Sequence, residues 1–141
     1  MKKLRILSLL LLLLTFSCTA QTSEKTSIRE TITAYSDAGD TNNTNALDKL
    51  LNSNYRVVTN RLFGSKSVRV ISKSEYLKKI KSKEWGGDSR LLTIENIAIN
   101  GTTASAKVTF KGKKATISSI LILIQEEKGN WKLINDTPTF K

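Results

Sequence analysis

No histidine occurs in this chain of 141 residues, and its single cysteine, Cys18, lies in an N-terminal apolar region. Zinc sites draw chiefly on those two residue types, so a zinc enzyme is not expected, and no other metal or cofactor is assigned. Serine and cysteine triads that rely on an imidazole base are excluded with it. One cysteine also leaves the folded part without a disulfide or a thiol nucleophile. Proline occurs once, at Pro138.

Acidic residues are the scarcer charge, with 12 Asp and Glu against 23 Lys and Arg and a formal net charge of +11. Three of the cations, Lys2, Lys3 and Arg5, precede an apolar run from Ile6 to Leu14, after which comes Ser17-Cys18-Thr19-Ala20. This is the layout of a secretory signal over residues 1–20, and the run falls short of the roughly 20 residues that a spanning helix needs. Two cleavage positions are open. Cleavage before Cys18 leaves a lipid-modified cysteine, as in the bacterial lipoproteins that this segment resembles, whereas cleavage after Ala20 releases a soluble protein beginning at Gln21. Either predicts export to the periplasm or cell envelope, or secretion, with the membrane reached only through a lipid anchor. Nucleic acid is not an expected partner of an exported chain. Without those three cations the net charge is +8, and nine of the remaining cations lie between Arg56 and Lys83. That concentration suits an anionic surface, or is simply a solvated lysine-rich face.

Residues 21–26 read as a polar tether, and residues 27–141 as one domain. Ser27-x-x-Glu30 has the spacing of a capping box, followed by Ile28, Ile32 and Tyr35 on one helical face that stops at Gly39. A start near Ser23 is equally compatible. On this helix Asp37 lies half a turn from the apolar stripe and is expected in water. The polar run Asp40 to Asn45 is a helix connection. A calcium loop is ruled out there, because position six is Asn45 and position twelve is Leu51. Asn45 is the expected cap of a short helix, Ala46 to Leu51. Tyr55 to Thr59 and Ser67 to Ile71 read as strands around Phe63-Gly64. Ser72-x-x-Glu75 then opens a helix with Tyr76, Leu77 and Ile80 inward, ended by Trp85-Gly86-Gly87-Asp88.

A meander of strands follows. Leu91 to Ile99 and Thr102 to Phe110 are joined by Asn100-Gly101, a two-residue hairpin signal. Ala115 to Gln125 holds an unbroken apolar run, Ile120 to Ile124, expected to be covered on both faces. Residues 125–141 read as a turn, an edge strand from Trp131, and a stop at Pro138, which cannot donate to a ladder. The order predicts an α+β fold with helices gathered on one side of a curved sheet.

The stretches "IRETITAYSDAGD", "ENIAINGTTASAKVTF" and "GNWKLIND" resemble the nuclear transport factor 2-like superfamily, and within it the lumazine-binding group related to ketosteroid isomerase. The resemblance spans about Ser23 to Phe140. It implies a cone-shaped antiparallel sheet wrapped around a long N-terminal helix with two further short helices, and a pocket at the open end. Members are enzymes in some branches and binding or assembly modules in others. The chain departs from its relatives twice: Ser118-Ser119-Ile120 stands where many carry an acidic residue, and Asp136 stands where many end in lysine.

With an Asn-Gly turn, Ile97 falls opposite Ala104, Glu95 opposite Ala106, and Leu91 opposite Phe110. Glu95 is then predicted among Ala104, Ala106, Val108 and Phe110, desolvated and with a raised pKa. A β-bulge would instead turn Leu92 and Ile94 inward and expose Glu95. On the last strand Trp131 and Asn135 share a face and Asp136 takes the other. Tyr55, Trp85 and Trp131 offer stacking surfaces, or are core. The pocket candidates are Tyr35, Tyr55, Trp85, Glu95, Phe110, Trp131 and Asn135, with Cys18 the lipidation candidate and no catalytic residue assigned. The resulting expectation is an exported, non-catalytic module for a small, partly aromatic molecule. Its rivals are an isomerase or lyase using Glu95 with a tyrosine donor, and an interaction protein that forms a homodimer through its sheet and meets an anionic surface through residues 56–83.

Overall fold

The helices begin where sequence periodicity and capping side chains put them, with two shifts. In the computed structural model, which describes residues 22–62 and 64–141, helix α1 covers residues 22–40. Ile28, Ile32, Tyr35 and Ala38 are buried along one stripe, while Asp37 is exposed. The expected tether is corrected: residues 22–26 are already helical, with Thr26 Oγ1 donating to the Thr22 carbonyl. Ser27 is therefore interior to the helix rather than its cap, and the start near Ser23 is the nearer of the two readings. The secretory segment, including Cys18, lies outside the described residues.

Helix α2 (Thr44–Leu50) is capped by Asn43, whose side chain accepts the Ala46 N–H. Asn45 had been the expected cap; Asn42, at φ 52°, turns the chain early enough for Asn43 to take that place. Helix α3 (Lys73–Lys81) starts at Ser72, whose hydroxyl accepts the Glu75 N–H as the sequence spacing predicts.

Six strands follow the same economy of turns: β1 (Leu51–Asn60), β2 (Val68–Ser72), β3 (Leu91–Asn100), β4 (Thr103–Lys111), β5 (Thr116–Gln125) and β6 (Trp131–Phe140). They form one curved, unclosed sheet in the order β2-β1-β6-β5-β4-β3. The sheet is mixed, because β1 and β6 run parallel while every other pair is antiparallel. The last strand is thus interior and not an edge. Pro138 stays paired with Ser119 of β5, and its missing N–H falls past Asp136, where the pairing with β1 ends.

Strand register shifts at three places, in the β1–β6 pairing between Leu51 and Arg56, in β3 and in β6, and the last two move a carboxylate. The β3–β4 turn is Gly101-Thr102, because Asn100 still pairs with Thr103 and only Gly101, at φ 58°, needs the left-handed region. A bulge between Ile94 and Asn96 then leaves Glu95 outside the ladder. In β6, Leu133 pairs with Leu123 but Asn135 pairs with Ile122, so Ile134 is the extra residue. Asp136 consequently joins Trp131 and Leu133 on the buried face. The run Ile120 to Ile124 is covered on one face only: Leu121 and Leu123 are fully buried, whereas Ile120 is 44% exposed.

Candidate functional site

The inward face of the sheet near α3 leaves a cavity of about 390 Å³. Trp85 and Phe110 form apolar walls, Tyr76 and Arg90 close one side, and Ser119 and Asp136 stand on the floor. The walls are fixed by the connections between elements. Asn42 donates from Nδ2 to the carbonyls of Ile80 and Trp85, at 2.9 and 2.8 Å, which fastens the turn after α3 to the end of α1. Gly86 and Gly87 make that turn at φ 76° and 69°, and a Cβ on Gly86 would sit 2.4 Å from the Gly39 carbonyl oxygen. Only glycine fits so close an approach in that conformation.

Arg90 is held from three directions. Its backbone N–H and its Nε donate to the Asp40 carboxylate, its Nη2 donates to the Ser36 carbonyl, and its guanidinium lies 4.7 Å from the centre of the Phe110 ring. The rim is tied by Asp88, whose Oδ2 accepts the Lys114 N–H at 3.3 Å. A Cβ on Gly112 would come within 2.0 Å of that oxygen. Gly112→Ala is therefore expected to evict the Asp88 carboxylate and cost about 1 kcal/mol, the value of one lost hydrogen bond. Faster amide exchange at Lys114 and a lower melting temperature check it.

Beneath the cavity lies a buried polar network. The Tyr35 hydroxyl donates to Asp136 Oδ2 at 3.0 Å, Tyr76 donates to Tyr35 at 3.2 Å, and the Tyr55 and Tyr35 oxygens are 3.1 Å apart. Because the one proton of Tyr35 goes to Asp136, Tyr55 must be the donor in the last pair, and the two lone pairs of Tyr35 are then both used. Burial raises all three phenols, Tyr76 to about 12 and Tyr35 and Tyr55 well above the ordinary value. All three therefore remain protonated donors near neutral pH.

Asp136 is raised to about 6, by burial above all, against which the Ser119 hydroxyl, the Tyr35 hydroxyl and the Arg90 charge act in the opposite sense. Ser119 is close enough to act on the carboxyl, yet Asp136 Oδ1 and Ser119 Oγ each lack a hydrogen bond of acceptable geometry among the described residues. The floor thus offers an acceptor whose charge changes around pH 6, beside a hydroxyl able to donate or accept.

Four of the residues singled out from sequence meet here: Trp85 and Phe110 on the walls, Tyr35 and Tyr55 below the floor. Three do not. Trp131 is 4% exposed and packs in the core with Leu133. Asn135 is half-buried and donates to Thr137 Oγ1. Glu95 sits outside, bonded to Thr109 Oγ1 and paired with Lys107, and these two contacts lower its pKa instead of raising it. Glu95→Gln is expected to change the melting temperature by less than about 2 °C between pH 5 and 8, as for other exposed pairs. Asp136, Ser119, Tyr76 and Arg90 were not among the sequence-derived candidates. Ser119 was detectable as the polar residue at inward parity with Leu121 and Leu123. Among the described residues no cluster of three or more His, Cys, Asp or Glu side chains is placed to hold a metal ion.

Comparison with solved structures gives the fold the same shape. A nuclear transport factor 2-like protein of unknown function from Silicibacter pomeroyi matches with a TM-score of 0.75 at 12% identity, over 86% of this chain and 98% of that one. A protein of the same description from Shewanella baltica gives 0.74 at 16% identity, over 85% and 95%. A nuclear transport factor 2-like protein from Cytophaga hutchinsonii gives 0.70 at 18% identity, over 83% and 98%. No match is found among curated proteins. The cone-shaped α+β architecture is thus the nuclear transport factor 2-like fold, and the profile of the family described as "Putative lumazine-binding" matches residues 23–137, which shows that the chain belongs to that family.

Proposed function

We propose that the protein is an exported module that binds a small, partly aromatic molecule in this cavity without transforming it. The observation that carries the reading is the cavity floor, where two buried polar atoms, Asp136 Oδ1 and Ser119 Oγ, have no hydrogen bond of acceptable geometry among the described residues and stand between apolar walls. Buried polar groups are almost always paired, so such a floor is explained by a ligand that supplies the missing partners. A volume of about 390 Å³ falls in the range of small-molecule sites, and Trp85 and Phe110 give a planar ligand two apolar faces. Export is supported by the basic start and short apolar run of residues 1–20. Native mass spectrometry of the protein purified from its own host tests the proposal. A bound small-molecule mass that Asp136→Asn diminishes is the expected result. An empty protein that also shows no thermal shift across a metabolite panel would overturn it.

One observation favours a second reading, an isomerase or lyase. Asp136, raised to about 6 beside the Tyr35 hydroxyl, has the properties of a general base next to a donor. Asp136 takes the place that the sequence assigned to Glu95. Turnover of a bound metabolite that disappears in Asp136→Asn while binding persists would decide for catalysis.

A further inference from the structure

Between Asp48 and Glu75 the chain carries no carboxylate, while Lys49, Arg56, Arg61, Lys66, Arg69 and Lys73 all fall in that interval. The structure separates these cations, and those that follow, by what they meet. Lys73 is committed to the fold, paired with the Asp48 carboxylate and donating to the carbonyls of Asp48 and Leu51. Lys79 is likewise held by Glu84. Arg56, Arg61, Lys66 and Arg69 are exposed, and among the described residues their side chains form no ion pair or hydrogen bond. All four stand on the β1–β2 hairpin or its connecting loop.

The same hairpin exposes apolar surface. Val68 and Val70 are 57% and 62% exposed on β2, the terminal strand of the sheet. The register sets Val70 beside Val58 and Val68 beside Asn60, with Arg56 beside Ser72 on the same face, whereas Arg69, beside Thr59, belongs to the other. Exposed valines on an open strand edge are a liability in a free protein. Interleaved with unpaired cations, they match a bilayer interface, where the cations meet lipid phosphates and the apolar side chains enter the headgroup region. A nucleic acid or a polysaccharide would use the cations and leave the valines without a role. The anionic surface first suggested by residues 56–83 thus narrows to one hairpin.

We infer that the β1–β2 hairpin docks the protein on an anionic phospholipid surface through the face that carries Arg56, Val68 and Val70, together with Arg61 and Lys66 of the connecting loop.

The test is co-sedimentation of the full chain with vesicles of phosphatidylcholine, with and without about one-third phosphatidylglycerol. The unaltered protein is expected to prefer the anionic vesicles, and to lose that preference as salt rises and the Debye length shrinks. The triple variant Arg56→Gln/Arg61→Gln/Lys66→Gln is expected to bind anionic vesicles on the order of 100-fold more weakly, about fivefold per cation. Val68→Ser/Val70→Ser is expected to weaken binding with its salt dependence unchanged. Residues 1–20 are common to every variant, so any vesicle affinity of their own cancels in the comparison. A control triple, Arg29→Gln/Lys111→Gln/Lys113→Gln, removes equal charge elsewhere. An equal loss in that control would show diffuse charge and overturn the proposal. Retention on heparin without preference for anionic vesicles would overturn it too.

Discussion

Replacing Asp136 by asparagine is expected to make the protein more stable above pH 7, by on the order of 3 kcal/mol, and to remove most of one component of its pH dependence. The sign follows from burial. The carboxyl titrates at about 6 in the folded chain, against an ordinary value of 3.8. Below about pH 3.8 it is protonated in both states and costs the fold no charge burial. Between the two values the unfolded chain releases its proton first, so this group's contribution to stability is lost as pH rises through about 6. Asparagine keeps the shape, accepts the Tyr35 O–H through its amide oxygen, and carries no charge at any pH. For a domain of this size the gain corresponds to roughly 10 °C in melting temperature above pH 7, shrinking toward zero near pH 4. Melting curves of both proteins at half-unit pH steps read the difference directly. A carboxylate retained at such a cost is the pattern expected of a functional group, since activity and stability commonly trade against each other at binding sites.

Tyr35→Phe should act in the opposite direction, and strongly. The Tyr35 hydroxyl donates to Asp136 Oδ2 and accepts from Tyr76 and Tyr55. Its removal leaves a buried charge short of a donor and two buried hydroxyls short of an acceptor, at a cost of about 2–4 kcal/mol. The tyrosine bond also holds the Asp136 carboxyl down, so the variant's loss is expected to be larger at pH 8 than at pH 4. In the double variant Tyr35→Phe/Asp136→Asn much of the penalty should vanish, because no charge remains to be orphaned. The resulting departure from additivity, about 1–3 kcal/mol by chemical denaturation, separates a charge network from simple loss of packing.

How much of this was legible in the sequence depends on whether the signal was local. The Ser72 cap of α3, the inward stripe of Ile28, Ile32 and Tyr35, and the exposure of Asp37 rest on spacings within one or two turns, and these hold in the structure. Strand parity holds only until a bulge intervenes. Counting alternate residues from Asn100-Gly101 carried Glu95 inward, but the turn lies one residue later and the bulge beside Ile94 ejects it. The extra residue Ile134 in the last strand moves Asp136 inward and Asn135 off the cavity. No composition cue marks either bulge, since each is visible only in how a strand pairs with its neighbour. Trp85 and Phe110 could be named from their residue types, whereas the role of Arg90 depends on Asp40, 50 positions earlier in sequence. Ser119 and Asp136, far apart in sequence, stand on adjacent strands and together make the floor.

The proposed site depends on a carboxyl group that is buried, short of partners among the described residues, and able to change charge near pH 6. Its titration can be followed by the 13C shift of the Asp136 carboxyl carbon, assigned by its absence in Asp136→Asn. A midpoint near pH 6 is the predicted result. A midpoint at or below 3.8, the value of a solvated aspartate, would mean that Asp136 is not desolvated, and the floor of the proposed site would lose its chemistry.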